Sequence, residues 1–141
     1  FRNEKMKEGA RVKLETVKRF FELIEAFSIS VSDFKPLLHS EIEQTEFPNL
    51  VTPAVVVSNY EVLMQRIPNG KKLLEEQKYD IQRVYEAGET LITEVIWTAK
   101  VGADVGAFKA GQQLRAYFCC VFDFKDGKIH RQRNYDCFER F

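Results

Sequence analysis

The sequence has no surplus of either charge, few thiols and no long apolar run. Lys plus Arg and Asp plus Glu each number 21 in 141 residues, so the formal net charge is zero. Nucleic-acid affinity rests on excess basic charge, so the balance argues against a dedicated nucleic-acid binder. It also removes the polybasic route to an anionic membrane surface. No apolar stretch approaches the roughly 20 residues that span a bilayer. The opening stretch Phe1–Glu8 holds no apolar segment of the signal-peptide kind. The chain opens on Phe1 rather than Met, and what precedes it stays open. The only cysteines are Cys119, Cys120 and Cys137. An odd count with two adjacent makes no disulfide framework. Reduced thiols in a cytoplasmic protein are the expectation. With only His39 and His130, and no Cys-x-x-Cys pair, the sequence argues against a structural zinc site. Neither metal nor cofactor is expected.

What is present is an ordinary globular mixture. Apolar residues make up 45% and charged residues 30%. A chain of this length can bury roughly 70% of its unfolded surface, enough for one core without staples. One domain over residues 1–141 is the expectation. Phe is over-represented, at 12 residues, which fits a large apolar interior or one with a pocket left in it.

Along the chain, Val17, Phe20, Phe21, Ile24 and Phe27 recur at helical spacing and predict a helix over 10–27 with one apolar stripe. Ser32 can cap a short second helix running through Leu38. Glu41 to Phe47 reads as a short strand closed by Pro48-Asn49, with a loop opening at Thr52-Pro53. Ser58-Asn59-Tyr60-Glu61 matches a capping box and predicts a helix through Gln65, interrupted by Pro68-Asn69-Gly70. Lys71 to Gln77 reads as further helix. The second half changes character: Lys78–Glu86, Leu91–Val101, Gln112–Lys125 and Lys128–Phe138 all read as strands. Asp126-Gly127 signals a two-residue hairpin turn, because both positions need positive φ. Helices first and a strand meander afterwards make an α+β layout, with helices packed on one face of an antiparallel sheet.

Alternation places Leu114, Ala116, Phe118, Cys120, Phe122 and Phe124 on the core face of the third of these strands. The second strand is apolar on both sides, with Ile92, Glu94, Ile96 and Thr98 against Leu91, Thr93, Val95, Trp97 and Ala99. The last sets His130, Gln132, Asn134, Asp136 and Phe138 against Ile129, Arg131, Arg133, Tyr135 and Cys137. A β-bulge would swap either assignment.

The stretch from Asp126-Gly127-Lys128-Ile129 through Asn134-Tyr135-Asp136-Cys137-Phe138 resembles the final hairpin of SnoaL-like proteins, in the nuclear transport factor 2-like superfamily. Trp97-Thr98-Ala99, Ala110-Gly111-Gln112 and Glu46-Phe47-Pro48-Asn49 resemble other parts of that family, and the order of elements agrees over nearly the whole chain. The resemblance implies a curved sheet wrapped around helices into a cone with a pocket at its open end. It also implies a homodimer through the convex sheet face, for which Trp97, Arg115, Tyr117, Arg133 and Tyr135 are the expected surface. Family activities include polyketide cyclisation, ketosteroid isomerisation and limonene epoxide hydrolysis, so one fold hosts many chemistries.

The family positions point to particular residues. The steroid isomerase general base, oxyanion-hole tyrosine and protonated aspartate fall on Phe47, Phe20 and Cys120. A phenyl ring moves no proton and a thiol is a weak donor, so that chemistry is not expected. The resemblance puts Glu94, Asn134 and Asp136 on the concave side. Asp136 is the expected catalytic acid/base and Glu94 its partner, because paired carboxyls in an apolar cup separate into acid and base. The epoxide hydrolase pattern sets its terminal acid one residue later, at Cys137, and no arginine flanks Glu94, which speaks against that reaction. Asn134, Tyr60, Phe20, Phe47, Phe118 and Cys120 are the expected substrate-binding residues. His39 reads as marking a helix C-terminus and His130 as exposed beyond a hairpin turn. The expectation is a small cofactor-free acid/base enzyme, a cyclase, isomerase or hydrolase acting on a small apolar molecule. The alternatives are a non-catalytic binding or adaptor protein and a dimerisation module.

Overall fold

The structure, a computed structural model, describes residues 6–141; Phe1–Lys5, most of the opening stretch considered above, lie outside the described residues. Helix α1 (Glu8–Glu25) follows from the apolar stripe and buries Ala10, Leu14, Val17, Phe20, Phe21 and Leu23. Phe27 turns the chain with a φ of 52° and remains in the core. The second helix is shorter and earlier than expected: α2 spans Val31–Phe34 with Ser30 at its N-cap. Strand β1 (Leu38–Glu46) then begins sooner, so His39 lies in a strand and not at a helix end.

The short edge strand β2 (Val56–Asn59) was not expected from sequence. Helix α3 (Tyr60–Asn69) follows it, capped by Asn59, whose side chain accepts from the Val62 amide. Ser58 is buried beneath instead of capping. The helix runs past Gln65 with Pro68 in its last turn, and a 3-10 turn (Gly70–Lys72) completes it. The helical reading of Lys71–Gln77 fails beyond that turn. Leu74 opens β3 (Leu74–Ala87), where sheet pairing with β4 outweighs the local helix preference of Leu, Glu and Gln.

Strands β4 (Thr90–Val101), β5 (Gln113–Lys125) and β6 (Lys128–Phe138) complete a six-stranded sheet in the order β2-β1-β6-β5-β4-β3. Asp126 and Gly127 take φ values of 54° and 73°, the geometry of the hairpin turn that the pair signals. Pairing is antiparallel throughout except between β1 and β6, which run parallel and set Glu46 opposite Asn134.

The concave face carries the core. All six expected residues of β5 are buried, from Leu114 to Phe124. On β4 the buried set is Leu91, Thr93, Val95, Trp97, Ala99 and Val101. The convex placement of Trp97 is therefore corrected: its indole stacks on Phe118 at 5.6 Å between centroids inside the cup. A register shift between Asp123 and Phe124 leaves both Ile129 and Gln132 buried on β6, so Asn134, Asp136 and Phe138 continue inward beyond it. Helix α1 closes the cup, with Phe21 stacked on Tyr79 at 4.6 Å and packed edge-on to Phe122 at 6.0 Å. Each wholly buried phenyl ring, such as Phe20 or Phe122, contributes about 1.5–3 kcal/mol of apolar transfer. No helix among the described residues is long and apolar enough to cross a membrane.

Candidate active site

A cavity of about 470 Å³ remains between α1, α3 and the concave sheet. Its walls include Phe20, Phe21, Tyr79, Trp97, Phe118 and Phe138, and its polar groups gather on β1 and β6. A larger groove of about 740 Å³ runs along β3, β4 and β5. Opposite charges line that groove (Glu76, Lys78, Lys100, Arg115, Glu139). The smaller, more apolar cavity is the better site for acid/base chemistry.

Asp136 projects from β6 into the cavity. Its Oδ1 is buried and accepts no hydrogen bond. Burial first, and the Glu46 carboxylate second, push its pKa up to about 7. Both protonation states are then populated near neutral pH, as a group that gives and takes protons requires.

Its partner differs from the expected one. Glu94 lies on the outer face of β4, where Oε2 accepts from the Tyr85 hydroxyl at 3.0 Å and Oε1 lies 3.9 Å from Arg83. The alternation of a strand apolar on both sides hid this, and the buried set containing Trp97 turns Glu94 outward. Glu46, at the end of β1, takes the inward place. Thr52 Oγ1 donates to its Oε1 at 3.2 Å and Arg66 Nη2 to its Oε2 at 3.3 Å. Arg66 is itself anchored through Nη1 on the buried Ser58 hydroxyl at 2.8 Å. The sequence did carry a signal: residue 46 shares strand parity with the buried Ile42 and with Gln44, which also lines the cavity. The family position falls instead on Phe47, which the structure stacks on Tyr135 at 4.8 Å. Phe47 does not line the cavity, and neither does Tyr60, which packs against the core at the start of α3.

Phe20, Phe118, Cys120 and Asn134 do line it. A file of amides runs across the β1–β6 junction: Gln44 Nε2 donates to Gln132 Oε1 at 3.1 Å, and Gln132 Nε2 to Asn134 Oδ1 at 2.9 Å. The direction of that file leaves the Asn134 amide nitrogen as a donor beside Asp136. Burial, then Asp136 and Cys119, push the Cys120 thiol well up, so it acts as apolar wall. Tyr79 was not foreseen. Its phenol is raised by burial and by Cys120, Asp136, Glu25 and Glu46, so it stays protonated as a second donor in the cavity.

No family model matches the sequence, and no curated protein matches it. Solved structures do match. A protein described as a candidate polyketide cyclase from Acidithiobacillus ferrooxidans superposes with a TM-score of 0.71 at 16% identity, over 89% of this chain and 87% of that one. A candidate SnoaL-like polyketide cyclase from Jannaschia sp. CCS1 gives 0.73 at 13% identity, over 94% and 90%. An LEH-like epoxide hydrolase from M. tuberculosis gives 0.65 at 15% identity, over 92% and 84%. The architecture is an α+β cone of helices in a curved six-stranded sheet. It is the SnoaL-like form of the nuclear transport factor 2-like fold.

Proposed function

We propose that the protein is a cofactor-free acid/base enzyme whose substrate is a small apolar molecule held in the cone, with Asp136 as the group that transfers the proton. The observation that carries this reading is the buried Asp136 oxygen without a protein partner, in an aromatic-walled cavity, on a carboxyl whose pKa is about 7. As the acid, Asp136 gives its proton to a substrate oxygen that gains charge as a bond breaks or a ring closes. As the base, it takes a proton from a carbon or a water. Asn134 and Tyr79 donate hydrogen bonds to the same oxygen, and the aromatic walls exclude water around it. Glu46, with Arg66 as its counter-ion, is a fixed carboxylate beside the reacting acid. Solved relatives described as candidate polyketide cyclases and as an epoxide hydrolase support this class of chemistry without selecting the reaction.

The experiment is turnover of a panel of aromatic polyketones, enones and epoxides by the wild type and by Asp136→Asn. A turned-over compound should lose about 10²–10⁴-fold in rate in the variant. Turnover equal in both proteins removes Asp136 from the mechanism. Tight binding of panel members without turnover favours the ligand-binding reading, whose cavity would be the same.

The outer sheet face, with Arg115, Tyr117 and Tyr135 exposed and Ile92, Ile96 and Arg133 half-buried, fits a homodimer surface of aromatic and arginine side chains. Three free cysteines suit a reducing compartment such as the cytoplasm.

A further inference from the structure

A second cluster of functional groups lies at the opposite ends of β1 and β6 from Glu46 and Asp136. The parallel ladder pairs Leu38 with Ile129, and the next residue on each strand is a histidine. The rings of His39 and His130 meet edge to face, 4.7 Å between centroids. Glu41 brings a carboxylate to the same spot, so that one ligand atom from each of the three residues lies within 4.8 Å of the other two. None of the three lines the cavity.

We propose that His39, Glu41 and His130 form a binding site for a divalent transition metal, with Asp126 as its outer partner. The local hydrogen bonds already set one ring for this. The Glu41 amide donates to His39 Nδ1 at 3.0 Å, so that nitrogen holds the lone pair and the ring proton sits on Nε2. Nε2 faces Asp126 Oδ2 at 3.5 Å. A metal on Nδ1 takes the place of the amide proton and leaves Nε2–H on the Asp126 carboxylate. That carboxylate–histidine–metal order fixes the ring and raises its basicity as a ligand. Two imidazoles and one carboxylate suit Zn²⁺ and its late first-row neighbours, not Mg²⁺ or Ca²⁺, and leave a fourth position for water. Arg131 donates to the His130 carbonyl, and its cation is paired with Glu43 at 3.0 Å. The sequence speaks against zinc because it holds only two histidines and no Cys-x-x-Cys pair; the parallel junction sets both histidines side by side with a carboxylate as the third ligand. A bound metal would tie the first long strand to the closing hairpin.

The test uses the full chain, with Zn²⁺ in calorimetry and thermal melts and Co²⁺ as a spectroscopic probe. The expected result is one saturable equivalent, a melting temperature that rises with Zn²⁺, and Co²⁺ bands free of sulfur charge transfer. His39→Gln and His130→Gln should abolish binding, and Asp126→Asn should weaken it about tenfold. Glu41→Gln alters an exposed side chain and tests the carboxylate even where a histidine variant folds poorly. The proposal is overturned by no saturable binding up to millimolar metal, by unchanged binding in folded histidine or Glu41 variants, or by sulfur-to-cobalt charge transfer, which would assign the metal to the thiols.

Discussion

Glu46 and Asp136 face one cavity from adjacent parallel strands, and only Glu46 has a cation bound to it. Arg66 and Thr52 hold the Glu46 carboxylate, whereas Asp136 Oδ1 meets no donor. The asymmetry divides the pair. One member is held by donors, while burial first and the neighbouring Glu46 carboxylate second keep a proton on the other.

Asp136→Asn should flatten the dependence of stability on pH. An unfolded aspartate loses its proton near pH 3.9, whereas folded Asp136 keeps its proton up to about pH 7. The stability that comes from this raised pKa is complete below the unfolded value and is lost as pH rises through 7. Asparagine removes the cost of a buried charge. At pH 8 the variant should gain on the order of 2–4 kcal/mol relative to the wild type, a gain absent at pH 4. Urea melts across that range check this, and a constant difference between the two proteins refutes it.

Glu46→Gln should move the Asp136 titration to lower pH, and Arg66→Gln should move it higher. Carbon-detected NMR of the Asp136 carboxyl reads both without a substrate. An Asp136 midpoint indifferent to residue 46 would mean that burial alone sets it.

Glu94→Gln should leave any turnover within about twofold and stability within about 0.5 kcal/mol, because it changes only an outer-face contact with Tyr85 and Arg83. A large loss of activity would return Glu94 to the chemistry and contradict the placement of its side chain.

Trp97→Ala should cost about 3–5 kcal/mol. The indole packs on Phe118 and Phe138, and Nε1 donates to Gln77 Oε1 at 3.1 Å, so truncation opens a void and strands an amide. Denaturant unfolding measures it. A cost below about 1 kcal/mol would fit an outward indole instead.

Tyr117→Glu and Tyr135→Glu should shift a dimer to monomer in sedimentation while preserving the fold, since both side chains are nearly half exposed, at 46% and 45%. A wild type that sediments as a monomer at all concentrations rules out the dimer.

The sequence was most readable where one face of an element meets water and the other meets the core. The α1 stripe and the β5 alternation are such cases: Val17, Phe20, Phe21 and Phe27 and all six β5 residues are buried as expected, while Ile24 is half-buried and Leu14 and Leu23 join the core. The Asp126-Gly127 turn was legible because local backbone geometry decides it. β4 was not, because its outer face carries Ile92 and Ile96 and the polarity contrast vanishes. With that contrast gone, the family resemblance alone set Glu94 inward and Trp97 outward, and the structure has each on the opposite side. Glu46 was missed because a one-residue difference in position turns a strand side chain to the opposite face. The approach of β1 to β6, which makes both the acid pair and the histidine pair, leaves no local trace in composition or spacing.

That approach also governs when the protein can work. The two strands holding Glu46 and Asp136 come from opposite halves of the described residues, with β2, α3, β3, β4 and β5 laid down between them. A nascent chain can form α1 early, but it cannot bring its two carboxyls together until β6 has been made. Chains shortened before β6 would carry Phe20, Phe21, Tyr79, Trp97 and Phe118 but lack Phe138 and the acid.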